Sequence, residues 1–203
     1  MPIPLLELAR ESFFRPRTAA PHLIGLNLSR NTLIEAALLL AVLTILSQFL
    51  LYTFIQTQAA ELWTVKFSMP LADVAVQFVN AYIVSQIVVL LARGIKVDVA
   101  FSDAMVVYLW FNFLLVVLLA VMILTSALLG PFGMFVVLFT IVWGPYTLAV
   151  FWSQLLGTKN LFLGFVVALV AFLIASIISV IVASILGLPV MELTPKMELT
   201  PNV

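Results

Sequence analysis

The charged side chains of this chain are spaced so widely that four long uncharged stretches lie between them. The stretches contain 25 residues between Glu35 and Glu61, 19 between Asp73 and Arg93, 55 between Asp103 and Lys159, and 32 between Lys159 and Glu192. A helix that crosses a bilayer needs about 20 largely apolar residues, and a charge at the bilayer centre is costly. Each stretch therefore predicts at least one membrane span.

The longest stretch predicts two spans, because Gly130-Pro131-Phe132-Gly133 stands near its centre. Such a cluster of glycine and proline forms a tight turn and does not continue a helix. The sequence thus predicts an all-α, polytopic membrane protein with five transmembrane helices, at about residues 32–55, 70–92, 103–128, 132–154 and 161–186. The spans make one domain over residues 32–188, between an N-terminal segment 1–31 and a short external tail 189–203.

The composition excludes a soluble fold. Hydrophobic residues make up 65% of the chain and charged residues 9%, whereas soluble domains contain roughly 45–50% and about 25%. Nine basic and nine acidic side chains give zero net charge, which argues against nucleic-acid binding. The chain has no cysteine, so disulfides and thiolate metal sites are excluded. We expect membrane lipids as partners and no nucleic acid.

The basic residues orient the spans, because Lys and Arg in short loops stay on the cytoplasmic side. Two of the nine, Lys66 and Lys196, fall on one side of the predicted topology. The other seven fall on the opposite side: Arg10, Arg15, Arg17, Arg30, Arg93, Lys96 and Lys159. This split predicts a cytoplasmic N-terminus and, with five spans, an external C-terminus.

The apolar run after the N-terminal segment is span-length and has no small-residue cleavage site, so we expect the segment to be retained. Residues 4–15 predict a short amphipathic helix on the cytoplasmic membrane surface. Its apolar arc consists of Leu5, Leu6, Leu8, Ala9 and Phe13. Its opposite face consists of Glu7, Arg10, Glu11 and Arg15.

The titratable side chains match no recognisable catalytic or metal site. Thr32-Leu-Ile-Glu35 matches a capping box, and Asp73 and Asp103 stand where helices are predicted to begin, next to the positive end of the helix dipole. His22 is the only histidine, and no cysteine accompanies it. The sequence contains no nucleophile elbow, phosphate-binding loop or zinc-protease motif. We therefore expect no enzyme activity and no cofactor.

Two amide side chains, Asn80 and Asn112, fall near the middle of the predicted second and third spans. They are candidates for a polar path across the membrane, and the fourth span adds a kink at Gly144-Pro145. The alternative is hydrogen bonding between helices, which contributes about 0.6 kcal/mol on average. The sequence favours this structural role and leaves the polar path open.

The fifth span carries small residues at every fourth position: Ala171, Ala175, Ser179, Ala183 and Gly187. We call this set the small-residue stripe. Such a surface lets helix backbones approach closely, which is how spans associate where lipid removes the hydrophobic drive between them. The stripe predicts packing inside the bundle or a face for a membrane-protein partner or a second copy.

Several stretches resemble a known family. Phe14-Arg-Pro-Arg17 with Leu28-Ser-Arg30 before the first span, Phe101-Ser-Asp-Ala104 with Trp110, and Gly157 through Phe165 are similar to bacterial Yip1-domain proteins, over about residues 10–188. The Asp-Leu-Tyr-Gly-Pro signature of the eukaryotic members, which are associated with vesicle traffic, does not occur in this sequence. The resemblance therefore implies a bacterial inner-membrane protein from a family without a settled biochemical activity.

These observations lead to a functional expectation. We expect a non-catalytic, membrane-organising or accessory subunit that acts through contacts between helix faces. The alternative is a carrier or channel for a small molecule or lipid, with a polar site between spans two, three and four. That alternative requires Asn80, Asn112 and Pro145 to converge on one cavity.

Overall fold

The computed structural model describes residues 4–58 and 70–185. Within these ranges the regular structure is helical, with a single 3₁₀ turn at Gly130–Phe132. The helices are α1 (Leu5–Phe14), α2 (Pro16–Ile24), α3 (Arg30–Gln58), α4 (Pro70–Gly94), α5 (Phe101–Leu129), α6 (Gly133–Leu155) and α7 (Leu161–Ile185). The predicted tail 189–203 lies outside the described residues.

Five of these helices are long and apolar enough to cross a membrane. Their apolar segments are Arg30–Leu51, Leu71–Gly94, Phe101–Leu129, Gly133–Leu155 and Leu161–Val182. Each is at least as long as the roughly 20 residues that a bilayer requires, and the longest, Phe101–Leu129, has 29 residues. The prediction of an all-α, five-span membrane protein is confirmed, and the chain is a multi-pass membrane protein.

The turn between α5 and α6 forms where the glycine and proline cluster predicts it. Gly130 has a φ of +60° and ends α5, a conformation that glycine adopts without a steric penalty. A Cβ at Gly133 would overlap the hydroxyl of Ser126. The two helices therefore meet closely at this end of the bundle.

The start of α3 differs from the predicted capping box. The helix begins at Arg30, and the Ser29 hydroxyl accepts a 3.2 Å hydrogen bond from the backbone N–H of Thr32. Ser29 thus caps the helix one turn before the predicted box, and Glu35 is an exposed residue of its second turn. The helix-start positions of Asp73 and Asp103 are confirmed, since both lie in first turns.

The bundle is built around α4, α5, α6 and α7. Taken in this order, each helix packs against the next, and α7 packs back against α4. The remaining span, α3, lies outside this ring against α4 and α5. Most of the best buried large side chains belong to the ring, among them Val88, Val107, Leu114, Phe151 and Trp152, and Leu23 of α2 is buried as well.

The N-terminal helix pair, α1 and α2, packs against the spans, and α2 contacts both α5 and α6. Leu8 and Ser12 are buried in α1, whereas Leu5 and Leu6 are 72% and 83% exposed. One carboxylate oxygen of Glu11, Oε2, is buried with no hydrogen-bond partner in the described ranges. The predicted position of α1 as an amphipathic helix on the membrane surface is not confirmed, and Glu11 of its predicted polar face is partly buried.

Candidate functional site

The best-defined polar contact between spans is centred on Asn80 of α4. Its Nδ2 donates to the Tyr108 hydroxyl of α5 at 3.5 Å, and its Oδ1 accepts from the Ser179 hydroxyl of α7 at 3.4 Å. Both distances are longer than those of typical hydrogen bonds, so the two contacts are weak. We call these three residues the Asn80 junction. One amide side chain therefore joins three helices of the ring.

Asn112 is bound to the backbone of its own helix. Its Nδ2 donates to the carbonyl oxygen of Tyr108 at 2.9 Å, one turn earlier in α5. A polar side chain in an apolar environment needs a partner, and a local carbonyl supplies one without contact to another helix. The two predicted intramembrane amides therefore both bind Tyr108, one through its hydroxyl and the other through its backbone.

The small-residue stripe faces the interior of the bundle at its described positions. Ala171 and Ala175 are 0% and 1% exposed, on a helix that packs against α4 and α6. Ser179 belongs to the Asn80 junction. The side chain of Ala183 and all of Gly187 lie outside the described part of the chain. Ala171 and Ala175 thus serve packing within the bundle and do not face a partner.

Two small residues that the stripe omitted are also packed against the bundle, and Gly164 makes a close contact with α6. A Cβ at Gly164 would overlap the carbonyl oxygen of Ala149 and lie 2.6 Å from the backbone nitrogen of Ser153, both in α6. Ala168 is also buried. Gly164 and Ala168 stand seven and three residues before Ala171, so the four-residue register of the stripe does not include them. A mixed spacing of three and four residues, as on one helix face, would have found them.

Two tryptophans of the spans donate hydrogen bonds to the N-terminal helix pair. The indole N–H of Trp110 in α5 donates to the Ser12 hydroxyl at 2.9 Å. The indole N–H of Trp143 in α6 donates to the carbonyl oxygen of Phe13 at 3.1 Å. Trp143 stands about 18 Å along the helix axis from the end of α6. The N-terminal pair therefore reaches far along the apolar length of the bundle.

Three grooves between helices are lined mainly by apolar side chains. The groove between α4 and α7 has a volume of about 350 Å³, that between α5 and α6 about 280 Å³, and that between α1 and α5 about 440 Å³. Ser179 lines the first of these, but Asn80, Asn112 and Pro145 line none of the three. A polar carrier site would require these three residues to line one cavity, and none of the three grooves brings them together.

The Asn80 junction, the two tryptophan contacts and the three grooves are all formed within a single chain. Ser179 links the stripe to the junction, since its hydroxyl binds Asn80. Comparison of the chain with protein-family models, with curated proteins and with solved structures gave no match.

Proposed function

We propose that the chain is a non-catalytic membrane-organising or accessory subunit that binds a membrane-protein partner, or a second copy, through a face of α6. The observation that carries this proposal is an exposed ridge on α6 next to a proline of the same helix. Since Ala171 and Ala175 are buried, the contact face is assigned to another helix than α7.

The ridge consists of Met134, Leu138, Val142 and Tyr146, which recur every fourth residue on the exposed side of α6. Val142 is 75% exposed and Met134 69%. Residues four apart lie on one helix face, and such rows form the ridges that fit into the grooves of a neighbouring helix. We call these four residues the α6 ridge.

Pro145 distinguishes this ridge from an ordinary lipid-facing surface. Proline has no N–H, so the carbonyl of Ile141 lacks its usual partner one turn later. Ile141 is exposed, and the Tyr146 hydroxyl belongs to an exposed side chain nearby. Lipid tails offer no donor to a free carbonyl, whereas a polar side chain of a partner helix does. This polar requirement favours protein contact at the α6 ridge.

The intramembrane amides support a structural role over transport. Asn80 is engaged with Tyr108 and Ser179, and Asn112 with a backbone carbonyl. These are the bonds expected of side chains that hold helices together. We therefore propose that the two amides hold the helices together and that the protein acts through the outer surface of the bundle.

The proposal includes a location. The seven-to-two distribution of basic residues favours a cytoplasmic N-terminus and an external C-terminus. The resemblance of residues 10–188 to bacterial Yip1-domain proteins favours the bacterial inner membrane. Both remain parts of the proposal.

Site-specific cross-linking in native membranes tests the contact face. The chain contains no cysteine, so Val142→Cys gives a single attachment point for a photoreactive maleimide. Phe172→Cys is the matched control, because Phe172 is also an exposed apolar residue of a span. We expect one discrete protein adduct at Val142 and none at Phe172. Equal labelling at both positions, or adducts with lipid alone at Val142, would contradict the proposal.

A further inference from the structure

The exposed side of α6 carries a backbone acceptor without its usual donor. Pro145 stands inside α6 and has no N–H, so the carbonyl of Ile141 lacks the hydrogen bond that residue 145 would donate. Ile141 and Pro145 are both exposed, which places this carbonyl on the outer side of the helix. It stands about 12 Å along the axis from the start of α6, inside a membrane span, where water supplies no donor. A donor therefore has to come from a side chain.

The same side of α6 carries a donor without an acceptor. Tyr146 belongs to the α6 ridge and is 47% exposed, and its hydroxyl forms no hydrogen bond within the described ranges. The Tyr82 hydroxyl of α4 differs, because it accepts a 3.2 Å hydrogen bond from Gln86. A hydroxyl without a partner in an apolar environment costs free energy. This side of α6 thus offers one unpaired donor and one unpaired acceptor.

The spacing of the two groups suits a neighbouring helix that runs in the same direction. Tyr146 stands five residues after Ile141, which is about 7.5 Å along the axis. Side chains of a helix lean toward its N-terminus, so the Tyr146 hydroxyl is directed back toward the level of the Ile141 carbonyl. A second α6 at the same depth in the membrane presents its own Ile141 carbonyl at that level.

We propose that the partner at the α6 ridge is a second copy of this chain, and that each Tyr146 hydroxyl donates to the Ile141 carbonyl of the other copy. A twofold interface brings the same patch of both subunits together, so a patch with one donor and one acceptor satisfies both groups in both copies. Copies that insert by the same positive-inside rule share one orientation, which makes their α6 helices parallel. The inference rests on the proposed contact face of α6 and adds the identity of the partner.

Oxidative cross-linking in native membranes tests the identity of the partner. The chain contains no cysteine, so Val142→Cys in the α6 ridge forms a disulfide only with another molecule. Two full-length copies of this variant with different tags are expressed together. We expect a product of twice the mass of the chain that carries both tags. Phe172→Cys, at an exposed position of α7, is the control and should give no such product.

Fluorescence energy transfer between copies in vesicles tests the reciprocal hydrogen bonds. Lys159→Cys, in the exposed loop after α6, carries the fluorophores, and the protein-to-lipid ratio is varied. Tyr146→Phe should weaken dimerisation roughly eight-fold, because two interhelical bonds of about 0.6 kcal/mol each are lost. Tyr82→Phe is the matched control, because it removes the hydroxyl of a tyrosine that is 48% exposed on α4. It should leave dimerisation unchanged.

Pro145→Ala separates the proposed pair from a general effect of the Tyr146 side chain. Alanine restores the N–H that the Ile141 carbonyl lacks, so Tyr146 loses its acceptor in the other copy. Pro145→Ala should therefore weaken dimerisation by a factor similar to that of Tyr146→Phe. In the double variant, Tyr146→Phe should add little to the effect of Pro145→Ala, as expected for two groups that bind each other.

Three results would overturn the inference. Absence of the doubly tagged product from Val142→Cys would exclude a second copy. A photoreactive adduct of Val142→Cys with a different protein would then leave the proposed function intact, whereas absence of any protein adduct would remove both. Unchanged dimerisation of Tyr146→Phe, or full additivity of Tyr146→Phe and Pro145→Ala, would exclude the reciprocal hydrogen bonds.

Discussion

The indole of Trp143 in α6 both stacks on the Phe13 ring, at 4.9 Å between centroids, and donates a 3.1 Å hydrogen bond to the Phe13 carbonyl oxygen. Phe13 stands in the last turn of α1, where backbone carbonyls have no partner within the helix. Trp143 supplies that partner from a membrane span. The N-terminal helix pair is therefore held to the bundle by a contact that satisfies a helix end.

Removing this donor should loosen the N-terminal pair. Trp143→Phe keeps an aromatic ring against Phe13 but removes the donor to its partly buried carbonyl, which costs about 1 kcal/mol. Thermal unfolding in detergent and limited proteolysis of the N-terminal segment measure the effect. Ser12→Ala removes the other hydrogen bond and should act in the same direction. A Trp143→Phe variant as stable and as protease-resistant as the unaltered chain would exclude an anchoring role.

Bulk at the α6–α7 contact should destabilise the bundle. Gly164→Ala places a Cβ against Ala149 and Ser153, and overpacking of this kind costs about 1–3 kcal/mol. Gly94→Ala is the control, because a Cβ there meets nothing within 4 Å. Thermal unfolding of both variants should show a loss for Gly164→Ala only. Equal unfolding temperatures for the two variants would mean that the backbones of α6 and α7 do not approach closely at Gly164.

The stripe should respond to substitution in a directional way. Ala175→Leu adds bulk at a buried position and should cost about 1–3 kcal/mol. Val180→Leu changes an exposed position and should have little effect. The midpoint of thermal unfolding in detergent distinguishes the two variants. Similar losses of thermal stability in both variants would contradict the inward orientation of the stripe.

The five spans could be predicted because charge spacing depends on the sequence alone. The rotation of α4 and α5 could not be predicted, since hydrophobic residues are spread evenly around both helices and their periodicity then gives no facing direction. For this reason the sequence shows that Asn80 and Ser179 are polar or small, but not that they meet across 99 residues.

Short sequence motifs predicted the local backbone structure correctly only where they allowed a single interpretation. Gly130 and its neighbours define a turn, because few conformations suit that cluster. Near α3 the sequence offers two capping residues, and Ser29, not Thr32, caps the helix. The hydrogen bond from Trp110 to Ser12 leaves no sequence signal, because it depends on tertiary packing.

The Asn80 junction should contribute modestly to stability and not to function. Asn80→Leu removes two long hydrogen bonds, each expected to contribute about 0.6 kcal/mol. Thermal unfolding should show this small loss, while the partner or second copy still co-purifies with the variant. Loss of cellular function at normal protein abundance and with intact assembly would instead favour a carrier with a polar path.

The central claim, that the chain acts through a face of α6, is tested most directly by the mass of its assembly extracted in mild detergent. Val142→Trp enlarges the centre of the α6 ridge, and Phe172→Trp makes the same change on an exposed face of α7. We predict that the unaltered chain and Phe172→Trp migrate as one complex of defined stoichiometry, and that Val142→Trp reduces it to the single chain. A single chain in all three preparations, or a complex that Val142→Trp leaves intact, would contradict the account.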